Sequence, residues 1–381
     1  MEKFVLLLLL ILPGIQDVWS QENDPVSRET ENLIIITLDG YRWREVFEGA
    51  DKKILFRDKY VKDKSVRSKF WDEHLKKRRQ KLMPFLWDVV AKEGQLYGNV
   101  NHHNRIRCTN TNLYSYSGYS EMFVGFVDPR IVSNAPVNNP NYTVLEYIND
   151  REEYQNSVAI FSTWSVIPQI FREEQSGLFI NSGSDKSLAE NRSPYEVVLN
   201  KLTSENRNPY GERYDLYTFG YAFEFLKRAR PRVMFISFDE TDEHGHGRRY
   251  DNYLESAHRS DSLIAELWTW IQRDPQYRNK TTLMVTTDHG RGTSPRGWQR
   301  HAMLFRGSAQ IWLAVIGPDT PATGEMKDRV RYGQNQIAKT IAEFLQVPYH
   351  NVKPVGHSIP TVIRDPEEVK PSDEIVKAEP E

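Results

Sequence analysis

Five short runs of the chain are apolar with little interruption: residues 33–38, 157–161, 233–238, 283–287 and 311–316. Such runs predict strands buried on both faces rather than half-exposed ones, which would alternate. Between them, helix-like spacing of apolar residues recurs around 84–92, 215–228, 253–271 and 334–345. Strands alternating with helices predict an α/β fold, a three-layer α/β/α sandwich with a mostly parallel central sheet covered on both faces. No internal repeat interrupts this order.

Composition adjusts the picture at the edges. Residues 52–81 are dense in charge and predict a surface insertion, partly helical; 126–156 and 172–212, rich in Asn, Pro and Ser, predict long loops over one sheet edge. Lys3 followed by an apolar run over 4–12 and a small residue, Ser20, has the layout of a secretory signal peptide over 1–20. The expectation is therefore a secreted or periplasmic protein with one domain over 21–364 and a charged tail over 365–381. At 39% hydrophobic and 12% aromatic the chain is globular, and 50 basic against 52 acidic residues argue for neither a nucleic-acid partner nor an anionic membrane surface. Cys108 is the only cysteine, so no internal disulfide is possible and the core must carry stability. Sequons begin at Asn141, Asn191 and Asn279.

The chemistry lies where strands stop. Asp39 follows LIIITL, Asp239 and Asp242 follow VMFISF, and Asp288 follows LMVTT. In open α/β sheets that edge is where ligands bind. Histidines stand close behind two of the three: His246 lies four residues after Asp242, with Gly245 and Gly247 to let the backbone turn, and His289 adjoins Asp288. Carboxylates and imidazoles at converging strand ends suit a divalent ion, and the imidazoles favour zinc or a neighbouring transition metal over magnesium or calcium.

Taken in order, LDG at 38–40, D-x-x-G-H at 242–246 and D-H-G at 288–290 resemble the alkaline phosphatase superfamily, most closely its nucleotide pyrophosphatase/phosphodiesterase branch. The resemblance spans roughly residues 33–318. It implies an alkaline phosphatase-like fold, two divalent ions, most simply Zn2+, and a phosphate ester substrate. Position by position it puts Asp39, Asp288 and His289 on one ion, and Asp242, His246 and His301 on the other. His301 is chosen because it precedes QIWLAVIGP, as the branch's third histidine precedes a strand ending in Gly-Pro. His244, Asp239 and the distant His357 stand as substitutes.

The branch's spacing also implies Ser115 as nucleophile and metal-facing group, ahead of a helix over 118–125; Ser117 and Thr111 are the alternatives. The family's Phe-Pro-Asn-His after the nucleophile is replaced by Tyr116, Ser117, Gly118 and Tyr119. Tyr41, Trp43, Tyr114, Tyr116 and Tyr119 are available to stack on a base or aryl group, although core packing is the commoner use of such residues. Arg42, Arg44, Arg107 and Arg291 flank the motifs and read as solvated. The function expected is cleavage of phosphodiesters or phosphoanhydrides through a phosphoseryl intermediate. The alternatives are a phosphomonoesterase on the same site and a non-catalytic binding protein.

Overall fold

The computed structural model describes residues 28–364. The expected signal peptide and charged tail lie outside the described residues. Eleven strands are present among the described residues: β1 (Asn32–Leu38), β2 (Gln95–Tyr97), β3 (Arg105–Arg107), β4 (Val158–Ser162), β5 (Phe179–Ser182), β6 (Val233–Phe238), β7 (Thr281–Thr286), β8 (Gln310–Ile311), β9 (Leu313–Ile316), β10 (Gly324–Glu325) and β11 (Arg331–Gly333). Eight form one sheet in the order β10-β2-β9-β7-β1-β6-β4-β5, and β11-β3-β8 form a small second sheet. The five neighbours β7-β1-β6-β4-β5 are all parallel, and β9 runs antiparallel to β7.

Both faces of this sheet are covered, which is why its strands read as unbroken apolar runs. Alternate residues feed two separate cores. Ile34, Ile36, Leu38, Met234 and Ile236 pack with the helices Asp215–Ala229 and Tyr250–Ile271. Leu33, Ile35, Val233 and Phe235 pack on the other face with the helices Ser115–Val124 and Ile337–Phe344. The architecture is the mostly parallel three-layer sandwich expected.

Several details depart from the sequence reading. The run over 311–316 splits at Trp312, whose indole is fully buried and donates to the Tyr41 carbonyl at 2.9 Å. The charged insertion over 52–81 is three helices, Lys52–Leu55, Ser65–Phe70 and Leu75–Leu82. It is only charged outside, because Ile54, Leu55, Phe70 and Leu82 enter the core. The segment 172–212 contains a twelve-residue helix, Pro194–Glu205, capped reciprocally by Ser193 and Glu196. Of the sequons, that at Asn141 is closed: its side chain is buried and donates to Asp128 at 2.7 Å.

Asp261, buried in the helix Tyr250–Ile271, accepts from the backbone N–H groups of Phe85 at 2.7 Å and Leu86 at 3.1 Å. Burial pushes its carboxyl up to about 7 in spite of those bonds. A raised folded-state value means that the fold holds a proton which the unfolded chain gives up near its ordinary value. The associated stability is present at low pH and is lost as pH rises through 7. Comparison of wild type with Asp261→Asn by thermal unfolding at pH 5 and pH 8 is expected to show the wild-type advantage shrinking at the higher pH.

Candidate active site

Sheet order brings the chemistry together. β1 lies between β6 and β7, in register Leu38 beside Phe238 and Thr37 beside Thr286. The residues that follow these three strand ends therefore meet over adjacent strands. Asp39 follows β1 directly. The helix Glu240–His246 starts immediately after Asp239 and carries Asp242 and His246 one turn apart on one face. Sequence reading took this as a tight glycine turn. It is instead helical through Gly245, and the missing side chain there admits Arg291, whose Cζ would lie 2.6 Å from an added Cβ.

Two groups of ligand-type side chains result. Asp39, Asp288 and His289 form one, Asp242, His246 and His301 the other, each with ligand atoms within 4.8 Å of one another. His289 Nε2 stands 3.4 Å from Asp288 Oδ2 and 3.6 Å from Asp39 Oδ1. Its Nδ1 donates to the Gly290 carbonyl at 3.0 Å, which leaves the Nε2 lone pair facing the carboxylates. His301 is arranged the same way: Nδ1 donates to the Leu113 carbonyl at 2.7 Å, and Nε2 lies 2.9 Å from His246 Nε2. The His289 and His301 rings stack at 3.9 Å between centroids. His246 Nε2 is 3.0 Å from Asp242 Oδ2.

The residues present fit a metal ion on a specific observation. Asp39 Oδ1 and Asp288 Oδ2 are buried and have no hydrogen-bond partner, although the remaining oxygens of both carboxylates do. Burial, followed by the charges of Asp288 and Asp239, pushes the Asp39 carboxyl well above its usual range. Burial pushes His289 down, and burial together with the neighbouring His289 and Arg291 pushes His301 down. A buried carboxyl that resists negative charge, beside imidazoles that resist positive charge, suits a bound cation.

Ser115 opens the helix Ser115–Val124, and its Oγ lies 3.3 Å from His289 Nε2, beside the first group. Ser117 instead caps this helix: its hydroxyl donates to the Tyr114 carbonyl at 2.8 Å and accepts from the Tyr114 N–H at 3.2 Å. Thr111 lines a cavity behind the segment. Asp239, His244 and His357 belong to neither ligand group: Asp239 leads into the helix Glu240–His246, His244 faces the Tyr210 hydroxyl at 3.3 Å, and His357 lies near Gln336, which donates to its carbonyl. Cys108 is buried, and its thiol donates to the Asp288 carbonyl at 3.3 Å.

Several supporting residues went unassigned in the sequence. The Tyr119 hydroxyl donates to Asp39 Oδ2 at 3.1 Å, and Thr241 Oγ1 donates to the Asp39 carbonyl at 2.5 Å. Tyr41, Trp43, Tyr116 and Tyr119 are core residues, while Tyr114 meets His301 edge-on. Two of the flanking arginines are not solvated. Arg42 is buried against Glu45 and the Gly292 carbonyl; Arg291 is buried with its guanidinium on Asp242 and on the carbonyls of Trp298 and Gln299. Each is sheltered because its donors find acceptors inside the fold.

Gly118, one of the departures from the branch's motif, sits at a close approach. A Cβ there would lie 2.4 Å from the Asp288 carbonyl oxygen, so the helix Ser115–Val124 is pressed against the chain just after β7, where Asp288 and His289 stand. Alanine for glycine inside a helix ordinarily stabilises by roughly 1 kcal/mol. Gly118→Ala is expected to do the opposite, costing about 1–3 kcal/mol by overpacking and lowering turnover with Ser115 displaced. Thermal unfolding and steady-state kinetics on the same sample check both.

Comparison with known proteins accords with this geometry. The profile of the type I phosphodiesterase / nucleotide pyrophosphatase family matches residues 50–304. The chain belongs to this family. The match takes in Ser115, Asp242, Asp288, His289 and His301, and Asp39 lies before it. No curated protein matches the chain. Among solved structures, the fold is similar to a putative sulfatase from Bacteroides thetaiotaomicron (TM-score 0.57, 11% identity, 87% of this chain and 74% of that one). It is also similar to wild-type alkaline phosphatase PafA (TM-score 0.54, 10% identity, 90% and 100%) and to a phosphonate monoester hydrolase of Agrobacterium radiobacter (TM-score 0.52, 11% identity, 90% and 78%). At such identities the likeness is one of fold, the alkaline phosphatase-like fold. Family membership makes the chain a phosphoric ester hydrolase.

Proposed function

We propose that the chain is a two-metal phosphodiesterase or nucleotide pyrophosphatase in which Ser115 attacks phosphorus. The observation that carries this reading is the pair of buried, unpartnered carboxylate oxygens, Asp39 Oδ1 and Asp288 Oδ2, facing His289 Nε2 beside the Ser115 hydroxyl. Asp39, Asp288 and His289 would hold one ion, and Asp242, His246 and His301 the other. Zinc suits this mixture of oxygen and imidazole donors. Bound there, such ions supply Lewis-acid stabilisation of the attacking and leaving oxygens and lower the serine's pKa.

The chain's own residues supply orientation. Ser115 is the first residue of its helix, whose positive dipole end favours a phosphate there, and the Tyr116 N–H already donates to Asn134 Oδ1 at 3.0 Å. Its hydroxyl gives up its proton and bonds to phosphorus as the leaving oxygen departs and takes up a proton, giving a serine phosphodiester that still carries the substrate's other ester group; water then cleaves the serine–phosphorus bond, releasing the phosphomonoester and regenerating the hydroxyl. The Gly290 and Leu113 carbonyls hold His289 and His301 in the tautomers that present Nε2 to the site.

A diester preference is favoured by the state of the buried arginines. A monoester carries an extra negative charge that is commonly met by an arginine. Arg42 and Arg291 already engage protein acceptors. The test compares kcat/KM for p-nitrophenyl phosphate with that for bis-p-nitrophenyl phosphate and thymidine 5′-p-nitrophenyl phosphate on one metal-loaded preparation. The diesters are expected to be faster; a monoester preference of about 100-fold, or about 2.7 kcal/mol, would reverse the assignment. Export is part of the same proposal and rests on the sequence of residues 1–20 alone.

A further inference from the structure

The ring of His301 is held by a strained stretch of backbone. Its Nδ1 donates to the Leu113 carbonyl at 2.7 Å, and Leu113 is a buried leucine at φ +55°. In that left-handed conformation a Cβ crowds its own backbone, which is why glycine or asparagine ordinarily occupies it. Ala302, the residue after His301, lies at φ +115°, so strain stands on both sides of this hydrogen bond. Strained backbone persists only where its surroundings over-determine it.

At Leu113 the restraint is Asn110, whose Oδ1 accepts from the Leu113 N–H at 2.8 Å and closes the turn between them. Asn110 is buried and is fixed in its turn by Glu121, from the helix Ser115–Val124. Glu121 Oε2 accepts from the Asn110 N–H at 2.8 Å and from Asn110 Nδ2 at 2.7 Å. Its Oε1 accepts from the Thr109 hydroxyl at 2.8 Å and from the backbone N–H groups of Thr109 at 2.9 Å and Asn335 at 3.1 Å. With Nδ2 committed to a carboxylate, the Asn110 amide presents its oxygen to Leu113 and cannot present the reverse. Ser117 Oγ lies 3.2 Å from that same oxygen. One side chain therefore touches the chain on both sides of Ser115.

We infer that Asn110 is a positioning residue for His301: it holds Leu113 in the conformation that aims its carbonyl at Nδ1, which leaves the Nε2 lone pair facing the group of Asp242 and His246. A neutral imidazole has two tautomers, and the acceptor at one nitrogen selects between them. Without Asn110 the Leu113 peptide relaxes and its carbonyl turns away. The His301 proton is then free to occupy Nε2, from which a metal must displace it. The inference rests on the proposed function in one respect, that His301 is a metal ligand. It adds that one ligand group depends on an amide outside both groups.

Two-bond proton–nitrogen NMR spectra of metal-free, histidine-labelled protein read the tautomer directly. Wild type is expected to carry the His301 proton on Nδ1, and Asn110→Ala to add the Nε2–H form. His289, whose Nδ1 donates to the Gly290 carbonyl, is expected to keep its tautomer in both. In zinc titrations against a competing chelator, Asn110→Ala is expected to weaken one of the two binding constants at least ~10-fold and to leave the other within about twofold. A role confined to loop stability would change both or neither. Equal tautomers and equal zinc constants in wild type and variant would overturn the inference. Where Asn110→Ala does not fold, wild type still decides: an Nε2–H form of His301, or a Leu113 amide that exchanges with solvent as fast as an unfolded one, would overturn it. The tautomer comparison needs neither zinc nor turnover, so this inference and the two-metal reading fail separately.

Discussion

Ser115→Ala is expected to lower kcat/KM for a diester substrate by at least ~10³-fold, about 4 kcal/mol of transition-state stabilisation, while leaving the melting temperature nearly unchanged. The reason is local. The Ser115 hydroxyl is near His289 Nε2 at 3.3 Å and is not part of the helix cap, which Ser117 provides. Its removal would delete the proposed nucleophile and one long hydrogen bond, to His289 Nε2, while leaving the helix cap in place. A phosphoenzyme trapped by acid quench from wild type should be missing from the variant. Full activity in Ser115→Ala would move the nucleophile elsewhere.

Asp288→Asn is expected to have an effect of the same order on turnover for a different reason. Asparagine keeps the shape, and its carbonyl oxygen can still accept the Gly40 N–H, which lies 3.0 Å from Asp288 Oδ1. What disappears is the negative charge at Oδ2, the oxygen without a hydrogen-bond partner. Because the carboxylate is fully buried among Asp39 and His289, its neutralisation should leave metal-free stability unchanged or improved while weakening the grip on one ion. Activity measured over a zinc titration checks this. Unchanged kcat/KM at limiting zinc would show that Asp288 is no ligand.

A non-catalytic protein on this fold would have no use for such residues. Buried carboxylate oxygens without a hydrogen-bond partner, as at Asp39 and Asp288, are costly. Two groups of three ligand-type side chains on adjacent strand ends are hard to explain as packing.

Much of the fold was legible because parallel strands covered on both faces must be apolar throughout: LIIITL and VMFISF announce β1 and β6 without help from context. The strand-end acids were legible for the same reason, since a carboxylate ending an apolar run stands out. Other features depended on information that no local pattern holds. That β1 lies between β6 and β7 is a matter of sheet order, and it is what makes Asp39, Asp242 and Asp288 neighbours. Arg42 and Arg291 read as solvated because their buried partners, Glu45 apart, are backbone carbonyls or residues distant in sequence. Arg105 and Arg107, both on β3, and Arg306, ahead of β8, line one cavity because β3 and β8 pair, which no local pattern shows. The helix Pro194–Glu205 did carry a local signal, Ser193-Pro194 followed by Glu196, which the surrounding Asn and Ser outweighed.

The central claim is that the six residues Asp39, Asp242, His246, Asp288, His289 and His301 bind divalent ions. Its most direct test is the metal content of wild-type protein equilibrated with zinc, desalted and analysed by inductively coupled plasma mass spectrometry. Two equivalents of zinc per chain, falling towards one in Asp288→Asn, are the predicted result. Near-zero bound zinc, manganese or iron after metal-replete purification would contradict it.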